Sequence, residues 1–118
     1  MDIENIQKSL REFAKERDWD QFHNPKNLAM ALSGEAGELL EIFQWLSAEQ
    51  SLKENLHEED LKSVTDEIAD VVIYALRLSD KLGIDLESAI DNKIKKNAEK
   101  YPVDLAKGNA IKYSRRDK

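Results

Sequence analysis

The chain reads as an all-α protein, a four-helix bundle of a kind that assembles into homo-oligomers. Three observations carry that expectation. Apolar residues recur at helical spacing in four long segments, the breaks between those segments carry turn and capping residues, and the composition is rich in helix formers. At 118 residues the chain is expected to form one domain, residues 1–118, with a C-terminal tail from about residue 101.

The first segment, residues 2–17, places Ile3, Ile6, Leu10 and Phe13 on one face, with Asp2 as N-cap. DWDQFHNPKN then breaks the pattern, and Asn24-Pro25 signals a turn. This loop carries Trp19, Phe22 and His23, aromatic content that needs something to pack on or bind. A second helix is expected from Pro25 or Asn27 to Leu46, with Leu28, Leu32, Leu39, Ile42 and Leu46 as its apolar stripe. Gly34 and Gly37 weaken it, and leave room for close approach by a helix or a ligand. Residues 47–57 are a polar connection with room for one helical turn.

The third helix, Glu58 to about Leu82, is the most apolar part of the chain. From Ile68 to Leu78 only Asp70 and Arg77 are charged, so more than one side should be buried, which points to an oligomer. Gly83 ends it. Asp85 caps a fourth helix that runs to about Lys100, and Tyr101-Pro102 stops it. The remaining tail is basic, has little periodicity, and is expected to wrap over the body or a neighbouring subunit.

Composition excludes several classes. The net charge is −6 and the pI about 5.0, against binding to nucleic-acid polymers through phosphate neutralisation. There is no cysteine, hence no disulfide and no thiolate metal site. The opening MDIENIQKSL lacks a secretory pattern, and no apolar run approaches the roughly 20 residues that span a bilayer. A cytoplasmic protein with no membrane partner is the expectation.

Two acidic pairs stand out, Glu35-Ala-Gly-Glu38 and Glu67-Ile-Ala-Asp70. Residues three apart share a helix face, so each pair projects two carboxylates together. Glu35 falls in the middle of the apolar stripe, and Asp70 is bracketed by apolar residues. Carboxylates so placed repel one another and resist desolvation unless a cation joins them. An all-oxygen set of this kind suits Mg²⁺ with open positions for phosphate. The spacing alone is weak, because exposed helix faces are full of such pairs. Di-iron chemistry needs Glu-x-x-His on two helices, and only Glu54-Asn-Leu-His57 matches. Trp19, Trp45, Phe22 and Tyr74 either stack on a base or fill the core, and Tyr74 shares the acidic face. Lys93, Asn97 and Lys100 either reach phosphates or form a solvated run, and His23 reads as a turn residue with an indirect role.

The set Glu35-x-x-Glu38 … Glu67-x-x-Asp70 resembles the signature of the all-α nucleoside triphosphate pyrophosphohydrolases, the MazG-like superfamily. Residues 13–45, 66–78 and 100–113 are similar to its dCTP pyrophosphatase branch. That resemblance implies a magnesium-dependent hydrolase that converts a nucleoside triphosphate to monophosphate and pyrophosphate, with dCTP or a 5-modified dCTP as leading substrate. It implies Glu35, Glu38, Glu67 and Asp70 as catalytic metal ligands, and Trp19 and Trp45 around the base. It further implies Tyr74, Lys93, Asn97 and Tyr101 near sugar and phosphates, and a homo-oligomer, dimer or tetramer. Leu10 stands where a mammalian member has a histidine near the pocket, so base preference does not transfer with the motif. A non-catalytic helical nucleotide-binding or regulatory scaffold is the alternative.

Overall fold

A computed structural model describes residues 1–116. Its secondary structure is helical throughout the described residues: α1 (Ile3–Glu16), α2 (Pro25–Phe43), α3 (Glu58–Lys81), α4 (Leu86–Lys100) and one short turn, α5 (Val103–Ala106). No helix is long and apolar enough to cross a membrane. The chain divides into two compact units, residues 1–84 and the segment from Asp85 onward.

In the first unit α2 packs along α3, and α1 packs on α3. Ala14, Leu28, Val64 and Leu76 form its buried apolar centre, one or two from each helix. Full burial of a leucine is worth about 1.5–3 kcal/mol, and Leu28 and Leu76 are both 1% exposed. A polar clamp ties α1 to α3. Gln7 Nε2 donates to the Leu76 carbonyl at 3.0 Å, and Arg11 Nη1 pairs with Asp80 at 2.8 Å.

The helix ends follow from their local sequence. Asp2, Asn24 and Asp85 cap α1, α2 and α4 by accepting from the backbone N–H groups of Asn5, Asn27 and Ser88. At the end of α1 Trp19 N–H donates to the Ala14 carbonyl and Asp18 N–H to the Lys15 carbonyl, a Schellman closure. Its turning residue is Asp18, at φ 55°. The same closure ends α3, where Ile84 N–H donates to Ser79 and Gly83, at φ 64°, donates to Asp80.

One expectation needs correction. The second helix stops at Phe43 rather than Leu46, because Ser47 and Gln50 close a reciprocal turn: Gln50 N–H donates to Ser47 Oγ and Ser47 N–H to Gln50 Oε1. Gly34 and Gly37 have open space beside them, since beyond chain neighbours and the backbone of their own helix a Cβ at either would meet nothing within 4 Å among the described residues. The C-terminal tail, though it has little periodicity, carries local structure of its own. After α4, α5 forms one turn, Gly108 at φ 80° redirects the chain, and Tyr113 comes edge-on to Tyr101 at 6.0 Å. Lys100 and Arg116 then lie over the rings of Tyr113 and Tyr101.

Candidate functional site

The helical register of α2 and α3 turns the two acidic pairs toward each other. Glu35, Glu38 and Glu67 each bring a carboxylate oxygen within 4.8 Å of the others. Glu38 is exposed, while Glu35 is partly buried. The Oε2 atoms of Glu35 and Glu67 are both closed off from solvent without a hydrogen-bond partner among the described residues. A covered carboxylate oxygen with no donor is costly. Crowding of like charge is visible in the ionisation. The Glu35 carboxyl is held above its ordinary range, first by the facing Glu67 carboxylate, with Glu38 offsetting part of that. Glu38 is raised in turn, first by Glu35. Three converging carboxylates, two of them raised and two with orphaned oxygens, fit a hard divalent cation.

Asp70 lies one turn beyond Glu67, outside the triad but close enough for its charge to raise Glu35 further. It lines a cavity of about 380 Å³ together with Leu10, Phe13, Trp19, His23, Ile73, Tyr74 and Arg77. That volume suits a small organic ligand. Trp19 is set there by the Schellman closure of α1, which stacks it edge-on against Phe13 at 5.8 Å. Asp70 and Tyr74 share a face of α3 at i, i+4.

Arg77 and His23 of the cavity wall belong to a charge network that sequence reasoning missed. Arg77 is 4% exposed, on α3. Its Nη2 donates to Asp20 Oδ1 at 2.6 Å, and its Nε donates to His23 Nδ1 at 3.2 Å. Lys81 also reaches Asp20, at 2.7 Å, and holds that carboxyl below its ordinary range, with Arg77 adding to the effect. His23 is lowered, first by burial and then by the Arg77 charge. The available signal was Arg77 itself, a lone cation within the most apolar stretch of the chain.

The remaining expected site residues are placed elsewhere. Trp45 lies just past α2, is 86% exposed and is absent from the cavity wall. Lys93 and Asn97 belong to α4, and Tyr101 is its C-cap, all in the second compact unit. In that unit Tyr101 Oη accepts from the Tyr113 N–H at 3.5 Å.

Comparison with known proteins agrees with this architecture. The sequence model of the MazG-like family matches residues 30–115. Over 112 residues, 95% of this chain, the sequence is 41% identical to dCTP pyrophosphatase 1 of Rattus norvegicus and 38% identical to that of Homo sapiens. The match covers 66% of the length of those relatives. Among solved structures, a pyrophosphatase from Archaeoglobus fulgidus is similar with a TM-score of 0.78 and 44% identity, over 86% of this chain and 94% of that one.

Proposed function

The chain belongs to the MazG-like family, and from that premise we propose that it is a nucleoside triphosphate pyrophosphohydrolase. The reaction joins water to a (deoxy)nucleoside triphosphate, breaks the link between the α and β phosphates, and yields monophosphate and pyrophosphate. The observation that carries this reading is the Glu35–Glu38–Glu67 triad set one turn from the Asp70 and Tyr74 wall of the cavity. A cation site and an organic pocket within reach of each other suit a substrate with a charged phosphate end and a flat apolar end. Relatives named dCTP pyrophosphatase 1 favour dCTP, or a 5-modified dCTP, as substrate. The implied role is removal of unwanted nucleotides from the cytoplasmic pool.

Glu35, Glu38, Glu67 and Asp70 are the residues that would hold Mg²⁺. Bound there, the ion supplies charge neutralisation for the triphosphate and acidifies the attacking water. Trp19 and Tyr74 offer faces to the base. Lys93, Asn97 and Tyr101 are assigned to sugar and phosphates on the family resemblance. The family match runs through both compact units, which supports reading residues 1–118 as one domain. Homo-oligomerisation, as dimer or tetramer, is part of the proposal. It is supported by the solvent exposure of Met30, Leu40 and Trp45 on and just after α2, and of Ile68 and Val72 on α3.

The test is pyrophosphate release from a panel of nucleoside triphosphates, with and without Mg²⁺. Metal-dependent release, fastest with dCTP, is the expected outcome. Nucleotide binding without release under any metal would instead identify a non-catalytic module.

A further inference from the structure

The turn between α1 and α2 brings Trp19 and His23 into the wall of the 380 Å³ cavity, yet little apolar surface holds it down. Both of its large aromatics, Trp19 and Phe22, are exposed. Its bonds to α1 and α2 are local: Trp19 N–H donates to the Ala14 carbonyl, and Asn27 Nδ2 donates to the Phe22 carbonyl at 3.0 Å. Toward α3 the turn makes three hydrogen bonds among the described residues, and all of them end on Arg77 or Lys81. Two of the three meet on one atom, Asp20 Oδ1, which accepts from Arg77 Nη2 at 2.6 Å and from Lys81 Nζ at 2.7 Å. Bonds between ionised partners are about twice as strong as neutral ones.

The two arms of this clamp differ. The Arg77 side chain is buried, so its charge needs a counter-ion. Asp80, 3.6 Å away, belongs to α3 as well and steadies the guanidinium without holding the turn. The Lys81 arm lies nearer the solvent. Lys81 first, with Arg77 adding to it, holds the Asp20 carboxyl below its ordinary range, so the clamp stays ionised at neutral pH.

We infer that Asp20 is a positioning residue for ligand binding: it fastens the α1–α2 turn to α3 and thereby holds Trp19 in place as a wall of the cavity. Asp20 is not itself in that wall and acts through the turn. A turn that leaves α3 opens the cavity on that side, and affinity falls with the fraction of molecules whose wall is in place. The acidic triad sits on α2 and α3, so the loss falls on binding and not on the chemical step. This rests on reading the cavity as the pocket of a nucleotide hydrolase.

In turnover, Asp20→Ala should raise KM for dCTP roughly 10-fold or more while kcat stays close to wild type. Lys81→Met, which removes only the solvent-side arm, should raise KM by a smaller factor, and Asp20→Glu, which keeps the charge, should recover part of the loss. A second readout needs no ligand. The chain has two tryptophans, so 5-fluorotryptophan labelling gives two ¹⁹F resonances, assigned with Trp45→Phe. The H₂O–D₂O isotope shift of Trp19 should rise in Asp20→Ala while that of Trp45 stays constant. If Asp20→Ala does not fold, Lys81→Met is read by the same two criteria. An unchanged KM, an unchanged Trp19 shift, or a loss confined to kcat overturns the inference and leaves the hydrolase reading intact. Should no triphosphate release pyrophosphate from the wild type, the hydrolase reading fails instead, and the Trp19 shift alone decides whether Asp20 holds the turn.

Discussion

At the scale of single residues, the pair Glu35 and Glu38 responds to pH in the opposite sense to His23. The folded carboxyls of Glu35 and Glu38 are raised above the ordinary glutamate value of 4.5, Glu35 first by Glu67 and Glu38 first by Glu35. A raised carboxyl contributes stability below its unfolded value and loses that contribution as pH rises through the folded one. Without metal, Glu35 and Glu38 should therefore weaken the fold as pH climbs out of the carboxylate range, and bound Mg²⁺ should reverse the effect. Glu38→Gln is expected to melt at or above the wild-type temperature in chelator at pH 8, to lose the Mg²⁺-induced rise, and to lose activity by roughly 100-fold or more. Melting curves with EDTA and with saturating Mg²⁺ check the first two outcomes, and pyrophosphate release checks the third. His23 is lowered from 6.5, first by burial and then by Arg77. Its contribution is present above that ordinary value and is lost as pH falls through the lowered folded one. Urea unfolding at pH 8 and pH 5 should show less acid weakening in His23→Gln than in the wild type.

At the scale of elements, two helices end in the same closure with different turning residues. Gly83 takes its φ of 64° without a Cβ penalty, whereas Asp18 holds φ 55° with one. Gly83→Ala should destabilise the chain by about 1–2 kcal/mol. Asp18→Gly should stabilise it by up to about 1 kcal/mol in chemical denaturation. The gain is limited because Gln21 Nε2 donates to both the carbonyl and the side chain of Asp18, and glycine keeps only the first of these bonds. The closure also has a functional side. It delivers Trp19 onto Phe13 at the cavity wall, so Asp18→Val, which resists φ > 0, should raise KM as well as lower stability. Parallel measurement of unfolding and KM on that variant checks the linkage.

At the scale of the whole molecule, the apolar content of α2 and α3 exceeds what one chain covers. Ile68 is 49% exposed, Leu40 62% and Trp45 86%. Sedimentation should give a mass that is a multiple of 13.6 kDa, and Trp45→Glu should shift it toward the monomer. The helices were legible along the sequence because caps, glycines and the apolar period are local signals: Asp2, Asn24, Gly83 and Asp85 all act at the ends they mark. The end of α2 was less legible, since Ser47 and Gln50 close a turn that the stripe ending at Leu46 runs straight through. Glu35 and Glu38, and Glu67 and Asp70, could be paired by i, i+3 spacing, which is a property of one helix. That Glu35, Glu38 and Glu67 converge while Asp70 turns to the cavity depends on how α2 lies against α3. The Arg77–His23–Asp20 network was invisible for the same reason, with 54 and 57 residues separating its partners. Sequence by itself determined the helical class, most helix ends and the acidic residues. Only the tertiary structure decided which of those carboxylates share a site and which groups Arg77 engages, because both depend on side chains that meet between elements far apart in the chain.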